Sequence, residues 1–333
     1  MSDNKHSDNR ISAGAFGRLK VIAGSVSSAA KSIARRPAVE KKKCLPFEER
    51  KVGVIFSTDS PLANATIRRG VERVIRANGY EPVFMITRDS QARELRGLRE
   101  LYTMNVKGII VEPSMSQMLC RHKSFYDKLS HEGVPYVFIH STYPQMNESP
   151  LITTDDSHGT YLLTRHLIAT GRRRIAAFFS SDDSRGYQRH AGYVNALQEA
   201  GIRYDPSLVI WFHTEDKKKR PVMDIENILR TENGCDSVMC YSDEMADEII
   251  KWLYDNGYSV PGDISVTGYG NTRTAGAEEI GLTTVALQEE LLGLFAAELL
   301  IEKFKGVNDS ASTVERVLAP ELIIRGSSIT TKK

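Results

Sequence analysis

Cysteine is sparse in this chain, and no long apolar run is present. The four cysteines, Cys44, Cys120, Cys235 and Cys240, lie at separations that match no zinc or redox pattern. Buried free thiols in a reducing cytoplasm are the expectation. No stretch approaches the roughly 18–20 apolar residues of a membrane span, so no membrane partner is expected. The nearest thing to an export signal is VIAGSVSSAA (21–30) behind Arg18 and Lys20, and its serines make a poor hydrophobic region. Also missing are a glycine-rich phosphate loop, a nucleophile elbow and a metal-ligand cluster. Catalysis therefore ranks last among the functional readings, and neither metal nor cofactor is expected. There is no short-period repeat and no low-complexity run.

Net charge is small, at +2, but it is unevenly spread: residues 1–51 carry 12 Lys and Arg against 5 Asp and Glu, and the remainder is mildly acidic at −5. Clustered basic residues suit contact with a polyanion such as DNA. The same Ser, Asn and Lys content equally describes a solvated tail. AFGRLKVIAGSVSSAAKSIARR, ended by Pro37, carries a weak helical signal, and AVEKKKCLPFEER (38–50) reads as a charged linker. Neither a helix-turn-helix nor a winged helix is recognisable in residues 1–50.

From Lys51 onward the pattern changes. VGVIF (52–56), PVFMI (82–86), KGIIVE (107–112), PYVFIH (135–140), IAAFFS (175–180), SVMCYS (237–242) and ISVTGY (264–269) are short, largely β-branched or aromatic, and bounded by turn residues. They read as buried parallel strands. Between the first two, Ile67, Val71, Val74 and Ile75 fall on one helical face, opposite Arg and Glu. Strands alternating with such helices call for parallel sheets covered on both faces. At 333 residues and 41% hydrophobic, the chain exceeds one ordinary core, so the fold class is α/β with two doubly wound lobes. PQMNESPL (144–151) reads as the crossover between them. Ligands in such sheets sit beyond the carboxyl ends of strands, which is where functional residues are sought.

Five segments then stand in a familiar order: DDSHGTYLLTRHLIATGRRRIAAFF (155–179), SRGYQRHAGYVNALQEAGI (184–202), CYSDEMADEIIKWLYDNGYSVPGDISVTGY (240–269), LTTV (282–285) and PELIIRGSS (320–328). Together they resemble the effector domain of LacI/GalR bacterial transcription regulators. VKGIIVEPSMS (106–116) and the closing PELIIRGSS look most like the arabinose repressors that join this domain to a GntR-type head. The resemblance spans residues 51 to about 328. It implies two periplasmic-binding-protein-like lobes with three crossovers, lobe 1 at about 51–145 and 282–310, lobe 2 at about 151–278 and 316–328, with helix 288–304 returning to the first. It also implies a sugar-responsive repressor that dimerises, binds a small carbohydrate such as L-arabinose between the lobes, and couples closure to operator DNA. SSAAKSIARRP (27–37) has some likeness to the family's hinge helix. The alternative reading is a sugar-binding protein without DNA binding, exported or cytoplasmic.

Candidate ligand residues follow by position in that pattern. Arg88 and Asp89 sit after the second strand, where a guanidinium can hold two sugar hydroxyls or form a surface ion pair. Glu112 ends the third strand as a hydroxyl acceptor. His140 ends the fourth, either as a ligand contact or as a packed, satisfied histidine. Arg189 matches the family arginine that faces the cleft from a helix start. Ser242 stands where the family has asparagine, and Gly270-Asn271 where it has two aspartates; Asn271 replaces the lost acceptor only if the loop shifts. Asp59 reads as a helix cap or a rim contact, and Phe56 and Tyr269 as core or as sugar-facing rings.

Overall fold

The computed structural model describes residues 50–218, 220–272, 280–306 and 315–329. The basic segment 1–49 lies outside them, so the helical signal, the charged linker and the hinge-like stretch 27–37 have no structural counterpart to compare.

The first sheet has the order β11-β5-β4-β3-β1-β2, from Glu315–Leu318, Leu151–Thr154, Tyr136–Ile139, Ile109–Val111, Lys51–Phe56 and Glu81–Ile86. All its pairings are parallel. Side chains alternate across a strand, so Val52, Val54 and Phe56 join one core with Ile67, Val71 and Ile75 of α1 (Pro61–Ala77), whereas Ile55 joins another with Leu98 and Leu101 of α2 (Gln91–Thr103) and Tyr126 and Leu129 of α3 (Lys123–His131). Helix α1 begins with Pro61 at a position where its missing N–H costs nothing.

The second sheet runs β7-β6-β8-β9, from Val209–Phe212, Ile175–Ser180, Ser237–Met239 and Ser265–Thr267. Its faces are covered by α4 (Asp156–Ala169) and α5 (Ser184–Glu199) on one side and α6 (Arg220–Leu229) and α7 (Asp243–Asp255) on the other. Bridges Thr267↔Thr283 and Gly270↔Ala286 attach β10 (Thr284–Ala286) beside β9, and β12 (Glu321–Ile323) pairs antiparallel with β10. Helix α8 (Glu289–Phe304) returns to the first lobe, contributing Leu292, Ala296, Ala297 and Leu300 to the α1 core.

The chain therefore changes lobe three times: between β5 and α4, between β10 and α8, and between β11 and β12. These borders differ from the expected ones. Residues 144–151 do not cross between lobes; they join β4 to β5 within one sheet through a 3₁₀ turn at Pro144–Met146. β5 and β11, expected in lobe 2, pair with each other and with β4 in the first sheet, while 282–286, expected in lobe 1, lies on the second. The half-polar LITT of β5 gives no sign of burial, and strand pattern alone does not choose a sheet. Cys120, Cys235 and Cys240 are free and buried, and among the described residues no helix is long and apolar enough to cross a membrane.

Helices α1 and α8 approach closely enough to need glycine at both contacts: a methyl at Gly70 would lie 2.0 Å from the Glu290 carbonyl oxygen, and one at Gly293 2.2 Å from that of Ile67. Gly70→Ala and Gly293→Ala should each lower stability by about 1–3 kcal/mol, as overpacking does. Urea denaturation reads this as a lower midpoint; an unchanged midpoint in both would mean that the helices do not cross there.

Candidate functional site

The carboxyl ends of both parallel sheets meet in one polar cleft, and lobe 1 supplies its acidic wall. Glu112, directly after β3, is buried and accepts from the Ser57 N–H at the end of β1 (2.9 Å). His140, directly after β4, is buried with φ 67 and places Nε2 at 3.9 Å from Glu112 and 3.4 Å from Glu289, the first residue of α8. Burial, with Arg185 nearby, holds the His140 pKa well below its ordinary value, so the ring is neutral. Burial, with Glu112 adding to it, pushes Glu289 up to about 8; its Oε2 is buried without a hydrogen-bond partner.

Lobe 2 supplies the cations. Arg189 on α5 donates to Asp156 Oδ1 (2.7 Å) and to the Tyr241 carbonyl (2.7 Å), with its guanidinium 3.6 Å from the centre of the Tyr269 ring. Burial opposes its charge, but Asp156 more than restores it. Arg185, four residues earlier, donates to Asp183 Oδ2 through Nε (2.9 Å), with Nη2 at 2.7 Å from the same oxygen, and lies 3.6 Å from Glu112 across the cleft. Burial alone would raise the Asp183 carboxyl, yet Arg185 and the Tyr241 hydroxyl (2.8 Å) hold it far below the usual carboxylate range.

The lobes also touch through a polar seam. Ser116 donates to Asp183 Oδ1 (3.0 Å) and accepts from the Ser184 N–H (2.9 Å), and the Gln117 N–H donates to the Asp182 carbonyl (3.1 Å). Beneath this seam Glu94, fully buried on α2, gathers the Tyr126 and Tyr143 hydroxyls (2.7 and 2.8 Å), the Ser114 N–H (2.7 Å) and His122 Nε2 (2.9 Å). Beside the charged cluster the cleft opens into a chamber of about 480 Å³ that reaches from His140 to the β4–β5 connection and α5.

The structure brings Glu112, His140 and Arg189 to this cleft. Asp89 is at its edge, 3.7 Å from Lys217 of the other lobe, with burial pushing its pKa up to about 6. Arg88 is elsewhere: its side chain is 66% exposed and pairs at 3.1 Å with the similarly exposed Asp59, the surface ion pair of the two readings. Ser242 uses its hydroxyl to cap α7, accepting from the Met245 N–H (3.3 Å). Asn271 turns its side-chain oxygen to Arg325, accepting at 2.8 Å. Gly270 adopts φ 118, a conformation L side chains rarely take. Phe56 packs in the core against Phe84, and Asp59 caps nothing: Ser60 is the N-cap of α1. Arg88, Asp89, His140 and Asn271 all carry φ between 50 and 67, a sparsely populated region that clusters at ligand sites.

Sequence reasoning missed Asp183, Arg185, Tyr241, Glu289 and Glu94. Arg185 sits inside a quoted motif, and the return of α8 to lobe 1 puts Glu289 at a strand-end cleft; those were the available signals. Among the described residues no group of three His, Cys, Asp or Glu is placed to hold a metal ion.

A carboxyl whose folded pKa is raised binds its proton more tightly in the native state, so stability falls as pH rises through the interval between the two values. For Glu289 that interval runs from 4.5 to about 8. Urea midpoints at pH 5, 7 and 9 should show Glu289→Gln gaining on the wild type with rising pH and levelling above pH 8. A constant gap would place Glu289 in water.

Comparison with known proteins agrees with this architecture. A family profile described as a periplasmic binding protein-like domain matches residues 164–328. Over 285 residues the chain is 31% identical to the arabinose metabolism transcriptional repressor of Geobacillus stearothermophilus, a match spanning 84% of this chain and 77% of the relative. The repressor of the same description from Halalkalibacterium halodurans is 28% identical, spanning 86% and 77%. Among solved structures, a complex of the transcriptional regulator CelR with cellobiose is similar at a TM-score of 0.72 and 28% identity, covering 83% of this chain and 84% of that one. Parallel lobes crossed three times, strand-end polar residues facing one cleft, and these relatives agree: the chain belongs to the LacI/GalR family of transcription regulators and carries that family's effector domain.

Proposed function

We propose that this protein is a sugar-responsive transcriptional repressor whose effector cleft binds a neutral carbohydrate and couples lobe closure to operator binding. The observation that carries the reading is the graded tightness of the cleft. Arg185 to Asp183 and Arg189 to Asp156 are held at 2.7 Å, whereas Arg185 to Glu112 and His140 to Glu289 and Glu112 stand at 3.4–3.9 Å. The tight contacts lie within lobe 2. The loose ones join Glu112, His140, Glu289 and Arg185, contacts that a sugar hydroxyl can replace by donating to a carboxylate and accepting from a guanidinium at once. Because Arg185 and Glu112 belong to different lobes, a ligand between them favours the closed arrangement and shifts the population toward it. The names of the two arabinose-metabolism relatives support a pentose as the first sugar to try. Binding without turnover, a cytoplasmic location, operator contact and a homodimer belong to the same reading.

Thermal melting of the purified chain against a panel of pentoses and hexoses tests it, since a ligand at 100 times its Kd adds about 2.7 kcal/mol. One neutral sugar should raise the melting temperature and alter retention of the chain's own upstream DNA. Glu112→Ala should abolish the sugar shift while leaving a cooperative melt, and Arg88→Ala, at an exposed pair, should keep it. No shift with any sugar, or equal loss in both variants, would overturn the assignment.

A further inference from the structure

The chamber beside the charged cluster differs from it in chemistry. Inside the cluster, Asp183, Arg185, Arg189 and Asp156 are already paired with one another or with neighbouring side chains. Of the chamber's lining, only His140 can carry a charge, and burial keeps it neutral. The rest is dominated by hydroxyl and amide groups. Six of these side chains, Gln117, Ser141, Thr142, Asn147, Ser149 and Gln188, make no hydrogen bond to any described residue, and most are reached by solvent, so they are free to exchange water for a ligand's hydroxyls. Aromatic surface is not offered: Tyr143, though on the wall, is fully buried, and its hydroxyl is used by Glu94.

Size and position add to this. At about 480 Å³ the chamber falls within the roughly 300–1,000 Å³ of small-molecule sites. His140 lines the chamber and also belongs to the loose contacts of the cluster, so it borders both. Ser116 and Gln117 come from lobe 1 and Ser184 and Gln188 from lobe 2, so an occupant touches both lobes.

We propose that the chamber is the subsite for a second ring, and that the effector is an uncharged disaccharide or glycoside with one ring among Glu112, His140 and Arg185 and the other against the hydroxyl and amide side chains of the β4–β5 connection and α5. This rests on the sugar-effector reading above. No lysine or arginine lines the chamber, so it offers a phosphate or carboxylate group no charge pairing and favours an uncharged ring.

Isothermal titration of the full chain with monosaccharides and with α- and β-linked disaccharides of the same sugars tests this. One neutral disaccharide should bind at least about tenfold more tightly than its component monosaccharide, the gain expected from two net hydrogen bonds. Ser149→Trp, which fills the chamber from a partly exposed position, should remove that advantage and leave monosaccharide affinity within about twofold. Gln188→Leu, which removes an amide without filling space, should lower disaccharide affinity selectively. Monosaccharide binding with no disaccharide advantage, or equal weakening of both classes by Ser149→Trp, overturns the subsite while leaving the effector reading intact. Failure of both classes to bind overturns the effector reading and the subsite together.

Discussion

A charged group taken out of water must find its compensation inside the protein, and in this molecule that requirement is met mainly within lobe 2. Asp183 and Arg185 neutralise each other on the same helix start, Arg189 is matched by Asp156, and Tyr241 supplies a further donor to Asp183. Lobe 2 thus presents a finished polar face. Lobe 1 presents an unfinished one, in which Glu112 and Glu289 share a neutral histidine and one carboxylate oxygen has no donor. The asymmetry gives the cleft its direction: one wall holds its shape and the other needs something brought to it.

The polar seam between the lobes is what opening and closure would have to break and remake. Ser116 bonds at once to Asp183 and Ser184, and the Gln117 amide reaches the Asp182 carbonyl. The neutral bonds can be exchanged for water at about 0.5–1.5 kcal/mol each and the one to Asp183 at about 1.5–3 kcal/mol, which suits a hinge more than a permanent interface. Ser114, two residues before Ser116, is fixed by Glu94 together with Tyr126, Tyr143 and His122. The lobe 1 side of the seam is therefore tied through Ser114 and Glu94 to α2 and α3.

Much of the fold was legible because a parallel strand buried on both faces has little choice of composition: the seven apolar runs all became strands, and the stripe of Ile67, Val71 and Ile75 became the buried face of α1. What pattern does not encode is which sheet a short strand joins. Leu151–Thr154 and Glu315–Leu318 hold two or more polar residues each, and only two residues separate β11 from β12 on the other sheet. The site divided in the same way. Glu112 and His140 stood out as polar residues ending apolar runs. Glu289 resembles any acid in the first turn of a helix, and Arg185 resembles any helix-start charge, until the lobes bring both beside Glu112. A strand-end arginine reads the same in sequence whether it turns inward or, as Arg88 does, toward an exposed partner such as Asp59.

Three crossovers also mean that neither lobe is a continuous stretch of chain. The α1 face of the first sheet is covered by α8, and Leu318 of β11 completes the same core. During synthesis from the N-terminus, Ile67, Val71 and Ile75 are made more than two hundred residues before the helix that buries them. Domains that emerge whole can fold as they leave the ribosome; the core under α1 cannot be completed until α8 and β11 have been made.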